Sequence, residues 1–109
     1  MADPKIARTR VARMLKALGH PTRIWILEEL ARSGERCVCE LAELSGTDDS
    51  TMSRHLTQLR VAGLVADERR GMQVHCRLAG PHVAALLDAV RAAANYEAAA
   101  ASREWLGVC

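Results

Sequence analysis

The 109-residue sequence contains no phenylalanine, and its only aromatic residues are Trp25, Tyr96 and Trp105. Its apolar content is mostly leucine, valine and alanine, a composition that favours helices. No apolar run approaches the roughly 20 residues that a membrane-spanning helix needs. The first ten residues lack the apolar segment of a signal peptide. These absences exclude a membrane partner and predict a cytoplasmic protein, whose thiols stay reduced.

Residues that would point to an enzyme are also lacking. We find no Ser/His/Asp set, no paired carboxylates with a catalytic spacing and no phosphate-binding loop, so catalysis is not expected. Half of the residues are hydrophobic, which predicts one folded domain over residues 1–109.

The net charge of +2 is unevenly distributed, because residues 1–16 carry five lysines or arginines against one aspartate. Residues 23–49 instead carry seven acidic residues against three arginines.

Four helices are predicted in the first part of the chain. Residues 5–18 and 21–32 have apolar side chains at helical spacing and are separated by Gly19. A short helix over about 38–44 precedes a Ser-Gly-Thr turn. The next residue, Asp48, is a good N-cap for a fourth helix that ends near residue 62.

The spacing changes after Gly63. Residues 64–78 lack a helical period and flank a Gly-Met pair, which predicts a β-hairpin. A final helix over about 81–102 follows. The predicted class is therefore α+β and mainly helical, with the order ααααββα. Residues 38–62 form a helix-turn-helix, and the hairpin makes it a winged helix.

In such a unit the second helix enters the DNA major groove with its N-terminal residues at the bases. Met52, Leu56 and Leu59 are assigned to the core, so the remaining faces of this helix are available to DNA. The predicted DNA-binding residues are hydroxyl, amide and cationic side chains on this helix and at the wing tip: Ser50, Thr51, Ser53, Arg54, His55, Gln58, Arg60, Arg69 and Arg70.

Three segments, LGHPTRIWILEEL, STMSRHLTQLRVAGLV and RRGMQVHCRL, together resemble the ArsR/SmtB family of bacterial metal-responsive repressors. The resemblance covers about residues 10–90. It implies a homodimer formed through the first and last helices, which binds double-stranded operator DNA and is released by a metal or metalloid. The apolar faces of residues 7–18 and 83–94 would need such a partner.

The segment RCVCEL resembles the Cys-Val-Cys that opens the helix before the recognition helix in the arsenic-sensing branch. This resemblance implies that Cys37 and Cys39 are thiolate ligands for As(III) or Sb(III), the inducer, with no other cofactor required. Soft thiolates suit soft ions. We also expect the helix N-terminus and the neighbouring Arg36 to favour the thiolate forms.

A third sulfur is not obvious. The branch has a further cysteine three residues after the second, and this chain has Ala42 there. We expect Cys109, on the tail, to be the third ligand, with Cys76 on the second wing strand as the runner-up. Binding through two sulfurs alone would suit a monomethylated arsenical.

Residues i and i+2 of a regular helix point about 200° apart. Cys37 and Cys39 could therefore not reach one ion from a regular helix, and we expect binding to unwind the first turn. Alternatives remain: another soft metal such as cadmium or lead, a thiol-redox switch on the same fold, or a winged helix that binds protein instead of DNA. The zinc-sensing pattern is not met, since Asp88-Ala89-Val90 lacks its histidine.

Overall fold

A computed structural model describes the backbone over residues 3–108 and the side chains over residues 3–96. Within that range the order is α1 (Pro4–Leu18), α2 (Pro21–Ser33), β1 (Arg36–Cys37), α3 (Val38–Ser45), α4 (Asp49–Val61), β2 (Val65–Arg70), β3 (Gln73–Leu78) and α5 (Pro81–Val108). The mainly helical winged helix-turn-helix is confirmed, with α3 and α4 as its two helices. No helix of the described part combines the length and the hydropathy that crossing a membrane would require.

Side-chain caps fix where the helices begin. The Asp48 carboxylate accepts a hydrogen bond from the backbone N–H of Thr51 at 2.7 Å, as an N-cap should. His20 caps α2 in the same way, because its Nδ1 accepts from the N–H of Thr22 at 3.1 Å. Gly46 ends α3 in the left-handed conformation, at φ +73°, which glycine adopts without strain. The turn between α3 and α4 is therefore short and defined at both ends.

The wing has one more strand than the two predicted. β2 and β3 pair antiparallel from Val65 opposite Leu78 to Arg70 opposite Gln73. The two-residue strand β1 adds to the free edge of β3 and gives the order β1-β3-β2. Two residues are too few to show a period of two. The added strand ties the start of α3 to the wing.

The core lies between the helix-turn-helix, the wing and the first turns of α5. Its fully buried side chains come from α2, α3, α4, the segment after α4, β3 and α5: Ile26, Leu27, Leu30, Leu41, Met52, Leu59, Leu64, Cys76 and Val83. A second apolar region stays open to solvent along α1 and α5. Val11 and Leu15 of α1 are 57% and 51% exposed, and Val90 of α5 is 39% exposed. Leucine and valine side chains of both helices therefore remain uncovered within one chain.

Two leucines of α3 give a matched test of this packing. Leu41 is fully buried and Leu44 is 55% exposed. Leu41→Ala should lower the free energy of unfolding by about 2–5 kcal/mol, because it removes transfer energy and leaves a cavity. Leu44→Ala should cost less than about 1 kcal/mol. Urea denaturation measures both, and equal losses would contradict the packing described.

Candidate nucleic-acid interface and thiol site

One face of α4 is free to meet a ligand. Met52, Leu56 and Leu59 turn inward and are buried. The opposite face carries four of the residues predicted to bind DNA, all exposed: Ser50, Ser53, Arg54 and Gln58. Thr51, half-buried beside them, has its Oγ1 3.5 Å from a guanidinium nitrogen of Arg54. These are short hydroxyls, an amide and a cation, the groups that contact phosphates and base edges.

Two further residues share this exposed face. Thr57 is exposed, and its hydroxyl donates to the backbone carbonyl of Ser53 at 2.9 Å. Val61 is 75% exposed although it is apolar, and an exposed methyl group can contact thymine. A helical wheel drawn over all of α4 places both opposite the buried residues, so the signal was present in the period of the sequence.

His55 is turned away from this face. It is half-buried, and its Nδ1 accepts a hydrogen bond from Nε of Arg23 at 3.1 Å. The ring of His20 lies edge-on to it, with 4.6 Å between the ring centroids. Burial, helped by the charges nearby, lowers the pKa of His55 and keeps the ring neutral. His55 thus positions Arg23 between α2 and α4.

Two of the predicted DNA-binding arginines have carboxylate partners. Arg60 contacts Asp67 of β2 at 3.0 Å. Arg70, at the wing, contacts both oxygens of Glu35 at 2.8 and 2.9 Å and Glu68 at 2.9 Å. Both arginines therefore already have carboxylate partners within the chain.

Arg54 and Arg69 differ from these two. Both are exposed, and neither contacts a carboxylate among the residues whose side chains are described. They are therefore cations of the helix and of the wing tip that remain available to an external anion.

The two thiols lie side by side. Cys37 is the N-cap of α3 with an extended backbone, φ −80° and ψ 159°, so it stands outside the helix. Its sulfur lies 2.7 Å from the sulfur of Cys39. The two residues therefore do not both lie in regular helix, and the unwinding of the first turn by a shared ion stays a prediction.

Cys37 and Cys39 stand on two different elements. Cys37 belongs to β1, and Cys39 is exposed on the first turn of α3. An ion shared by both sulfurs would therefore bridge the end of β1 and the start of α3.

The environment of Cys37 does not favour a thiolate. Arg36 contacts Glu29 at 3.0 Å and Glu40 at 3.0 Å, so its charge is already compensated. Glu40 also accepts a hydrogen bond from the backbone N–H of Cys37 at 2.9 Å. Burial, with the adjacent thiol of Cys39, raises the pKa of Cys37 to about 11. The expected activation by Arg36 is therefore wrong for Cys37, which is protonated at neutral pH.

The two candidates for a third sulfur ligand, Cys109 and Cys76, lie in different parts of the chain. Cys109 lies outside the described residues. Cys76 is 1% exposed and belongs to the apolar core, and burial raises the pKa of its thiol to about 11. Cys76 pairs with Arg36, whereas Cys37 pairs with His75. Successive residues of a strand point to opposite faces, so the register directs the Cys76 and Cys37 side chains to different sides of the sheet.

The thiol pair borders a cavity of about 230 Å³. Its other walls include Asp49 and Ser53 of α4 and Met72 of the wing turn. A group bound at the sulfurs would thus lie beside the N-terminus of α4. Within the described side chains, no cluster of three or more His, Cys, Asp or Glu could hold a metal ion. Two sulfurs and this cavity are what the described part of the site offers.

Residues 20–67 match the family model described as "Bacterial regulatory protein, arsR family". The chain is 42% identical over 77 residues to the arsenic resistance transcriptional regulator ArsR1 of Pseudomonas putida. This match covers 71% of the chain and 59% of the Pseudomonas protein, less than two thirds of that relative. The chain is also 43% identical to the regulator NmtR of Mycobacterium tuberculosis, and this second match covers 75% of the chain and 68% of NmtR.

The fold of this chain is similar to that of solved structures. One is the homodimeric winged helix-turn-helix DNA-binding domain Mb0332 of Mycobacterium bovis, with a TM-score of 0.77 and 38% identity. The similarity covers 87% of this chain and 88% of that domain. The relatives and neighbours named here are transcriptional regulators or DNA-binding domains, and none is named as an enzyme.

Thiol labelling tests the environments of the cysteines. Iodoacetamide at pH 7.5 should modify the exposed Cys39 before Cys37 or Cys76. Burial restricts access to these two, and at a pKa of about 11 only about 0.03% of each is thiolate at pH 7.5. Raising the pH towards 11 should accelerate both. Peptide mass spectrometry assigns each site, and equal initial rates at Cys37 and Cys39 would contradict this description.

Proposed function

We propose that this chain, which belongs to the ArsR family of bacterial regulatory proteins, is a dimeric transcriptional repressor that trivalent arsenic or antimony releases from operator DNA. The observation that carries the proposal is the pair of thiol sulfurs 2.7 Å apart, at the start of the helix preceding α4. Cys37 and Cys39 are the proposed ligands. A protein acting on chromosomal DNA would work in the cytoplasm.

The donor set supports a soft metalloid. Thiolate sulfur selects soft ions over hard ones such as magnesium or calcium. The relative ArsR1 is named for arsenic resistance. We keep Cys109 as the proposed third ligand, since Cys76 packs in the core on the other side of the sheet. If two sulfurs suffice, the cavity of about 230 Å³ leaves room for a substituent on the metalloid.

The proposed mechanism is a competition between two arrangements of α3. An ion held by both sulfurs links Cys37 of β1 to Cys39 of α3 and displaces the first turn of α3. Because α3 packs directly on α4, the displacement shifts the helix that reads DNA. The metalloid then weakens operator binding by the factor by which operator DNA weakens metalloid binding.

Repression is proposed to need a dimer. Val11 and Leu15 of α1 and Val90 of α5 leave an apolar surface exposed, which a second copy would cover. The neighbour from Mycobacterium bovis is homodimeric. Two copies would set two α4 helices against half-sites about one helical turn apart.

The closeness of the sulfurs also favours a second candidate, a redox-switched repressor. Peroxide would oxidise the two thiols to a disulfide and be reduced to water, with two electrons transferred. Cadmium or lead as the effector would keep the first mechanism with a different ion. Both alternatives predict release by agents other than arsenite.

Serine variants of the thiols test the proposal. Cys37→Ser and Cys39→Ser should bind the duplex from directly upstream of the gene as the wild type does, yet no longer be released by arsenite. Serine keeps the size of the side chain and removes the soft donor. Fluorescence anisotropy with arsenite, antimonite, cadmium, zinc and peroxide separates the effectors. Normal release by arsenite in both Cys37→Ser and Cys39→Ser would reject the site.

Cys109→Ser and Cys76→Ser test which cysteine is the third ligand. The variant that loses arsenite affinity identifies it.

Two arginines of α4 give a matched test of the DNA interface. Arg54→Ala should weaken operator binding by about 5–150-fold, or about 1–3 kcal/mol, because Arg54 is exposed and has no carboxylate partner among the described side chains. Arg60→Ala should have a smaller effect, since Asp67 already neutralises Arg60 at 3.0 Å. Arsenite affinity of the free protein should be unchanged in both. Equal operator binding by wild type and Arg54→Ala would contradict the interface.

A further inference from the structure

The arginines that contact carboxylates contrast with the cations of α1. Five of them, on α2, on α4, on α5 and in the β-sheet, contact carboxylates: Arg32, Arg36, Arg60, Arg70 and Arg91. Five cations on α1 have no carboxylate partner among the described side chains: Lys5, Arg8, Arg10, Arg13 and Lys16. All five are exposed. Helix α1 therefore presents a concentration of positive charge that the described acidic residues do not offset.

Three of these cations align on one side of α1. At about 100° per residue, Lys5, Arg13 and Lys16 fall within about 80° of one another. Val11 and Leu18 lie on the opposite side, so the cations do not compete with the apolar face for space. We call these three residues the α1 basic strip. It is about 16 Å long, at 1.5 Å of rise per residue.

The α1 basic strip leads into a cleft beside the DNA-facing helix. Arg13 and Lys16 line a cleft of about 400 Å³ together with Arg23 of α2 and Gln58 and Val61 of α4. Gln58 and Val61 belong to the exposed face of α4. The basic side of α1 and the proposed reading face of α4 are therefore neighbouring parts of one surface.

A fixed cation lies in the same cleft. Arg23 is half-buried and donates through Nε to His55 at 3.1 Å and through Nη1 to the carbonyl of Ala17 at 3.4 Å. Both acceptors are uncharged when His55 is neutral, so they orient the guanidinium without cancelling its charge. Within the described side chains it meets no carboxylate. An oriented guanidinium of this kind matches a phosphate oxygen.

We propose that the α1 basic strip and Arg23 form a second contact surface for the phosphate backbone of the operator duplex, next to the segment read by α4. This inference rests on the proposed function, because it adds contacts to the same DNA. Duplex DNA carries one negative charge per about 1.7 Å of its axis, so a 16 Å strip would face several phosphates. These contacts carry no base specificity and should strengthen binding to any duplex.

Salt dependence of binding tests the surface. Each phosphate contact contributes about −0.9 to the slope of log K against log salt concentration. Arg13→Gln and Lys16→Gln should each make the slope shallower by about 0.9, and the double variant by about 1.8. Between 50 and 200 mM salt, the wild type should then lose about tenfold more affinity than the double variant. Fluorescence anisotropy is measured on the duplex from upstream of the gene and on a scrambled duplex of equal length.

Arg32→Gln is the matched control. Arg32 is also exposed on a helix, but Glu29 already contacts it at 2.6 Å, so its loss should leave the slope unchanged. Circular dichroism checks folding, and the single variants stand if the double variant does not fold. If the strip variants and Arg32→Gln share the wild-type slope while arsenite still releases the wild type, this inference is overturned and the repressor proposal survives. If the wild type binds neither duplex, both fail.

Discussion

The pairing of Arg36 and Cys37 with β3 holds three parts of the molecule in one arrangement. It sets Cys37 in an extended conformation, which brings its sulfur to that of Cys39. It begins α3 at a defined point, and α3 packs on α4. It also joins this segment to the wing, whose Arg70 contacts Glu35 just before the strand. The thiols, α4 and the wing are therefore linked through two residues of strand.

Charge is distributed so that the two halves of the surface differ. The acidic residues of the middle of the chain, such as Glu29, Glu35 and Asp67, neutralise arginines of α2, α4 and the wing. No described acidic residue forms such an ion pair with the cations of α1 or with Arg54. Exposed ion pairs add little stability, so the main effect of the pairing is to decide which cations stay available to an anion.

Much of the fold could be predicted from the sequence, because helices such as α4 show a period of 3.6 residues and a capping residue such as Asp48. Strand β1 could not, since two residues show no period and its partner lies 38 or more positions away. The same limit applied to the site. The residues that engage His55 come from another element, and Arg70 contacts Glu35 from outside its strand, so spacing alone could not separate bound side chains from free ones. The extended backbone of Cys37 depends on that same unpredicted strand.

Cys37 occupies the N-cap of α3, a position where other side chains stabilise a helix better. Serine, threonine, aspartate and asparagine are the side chains that stabilise the first turn of a helix at this place, and cysteine is not among them. Asp48 shows that the chain uses such a residue where only the helix start matters. A hydroxyl or carboxylate in place of Cys37 would cap α3 better, but it would also bury a polar group at a position that is only 4% exposed. The side chain at the start of α3 therefore sets the strength of the helix cap against the polarity that this position tolerates.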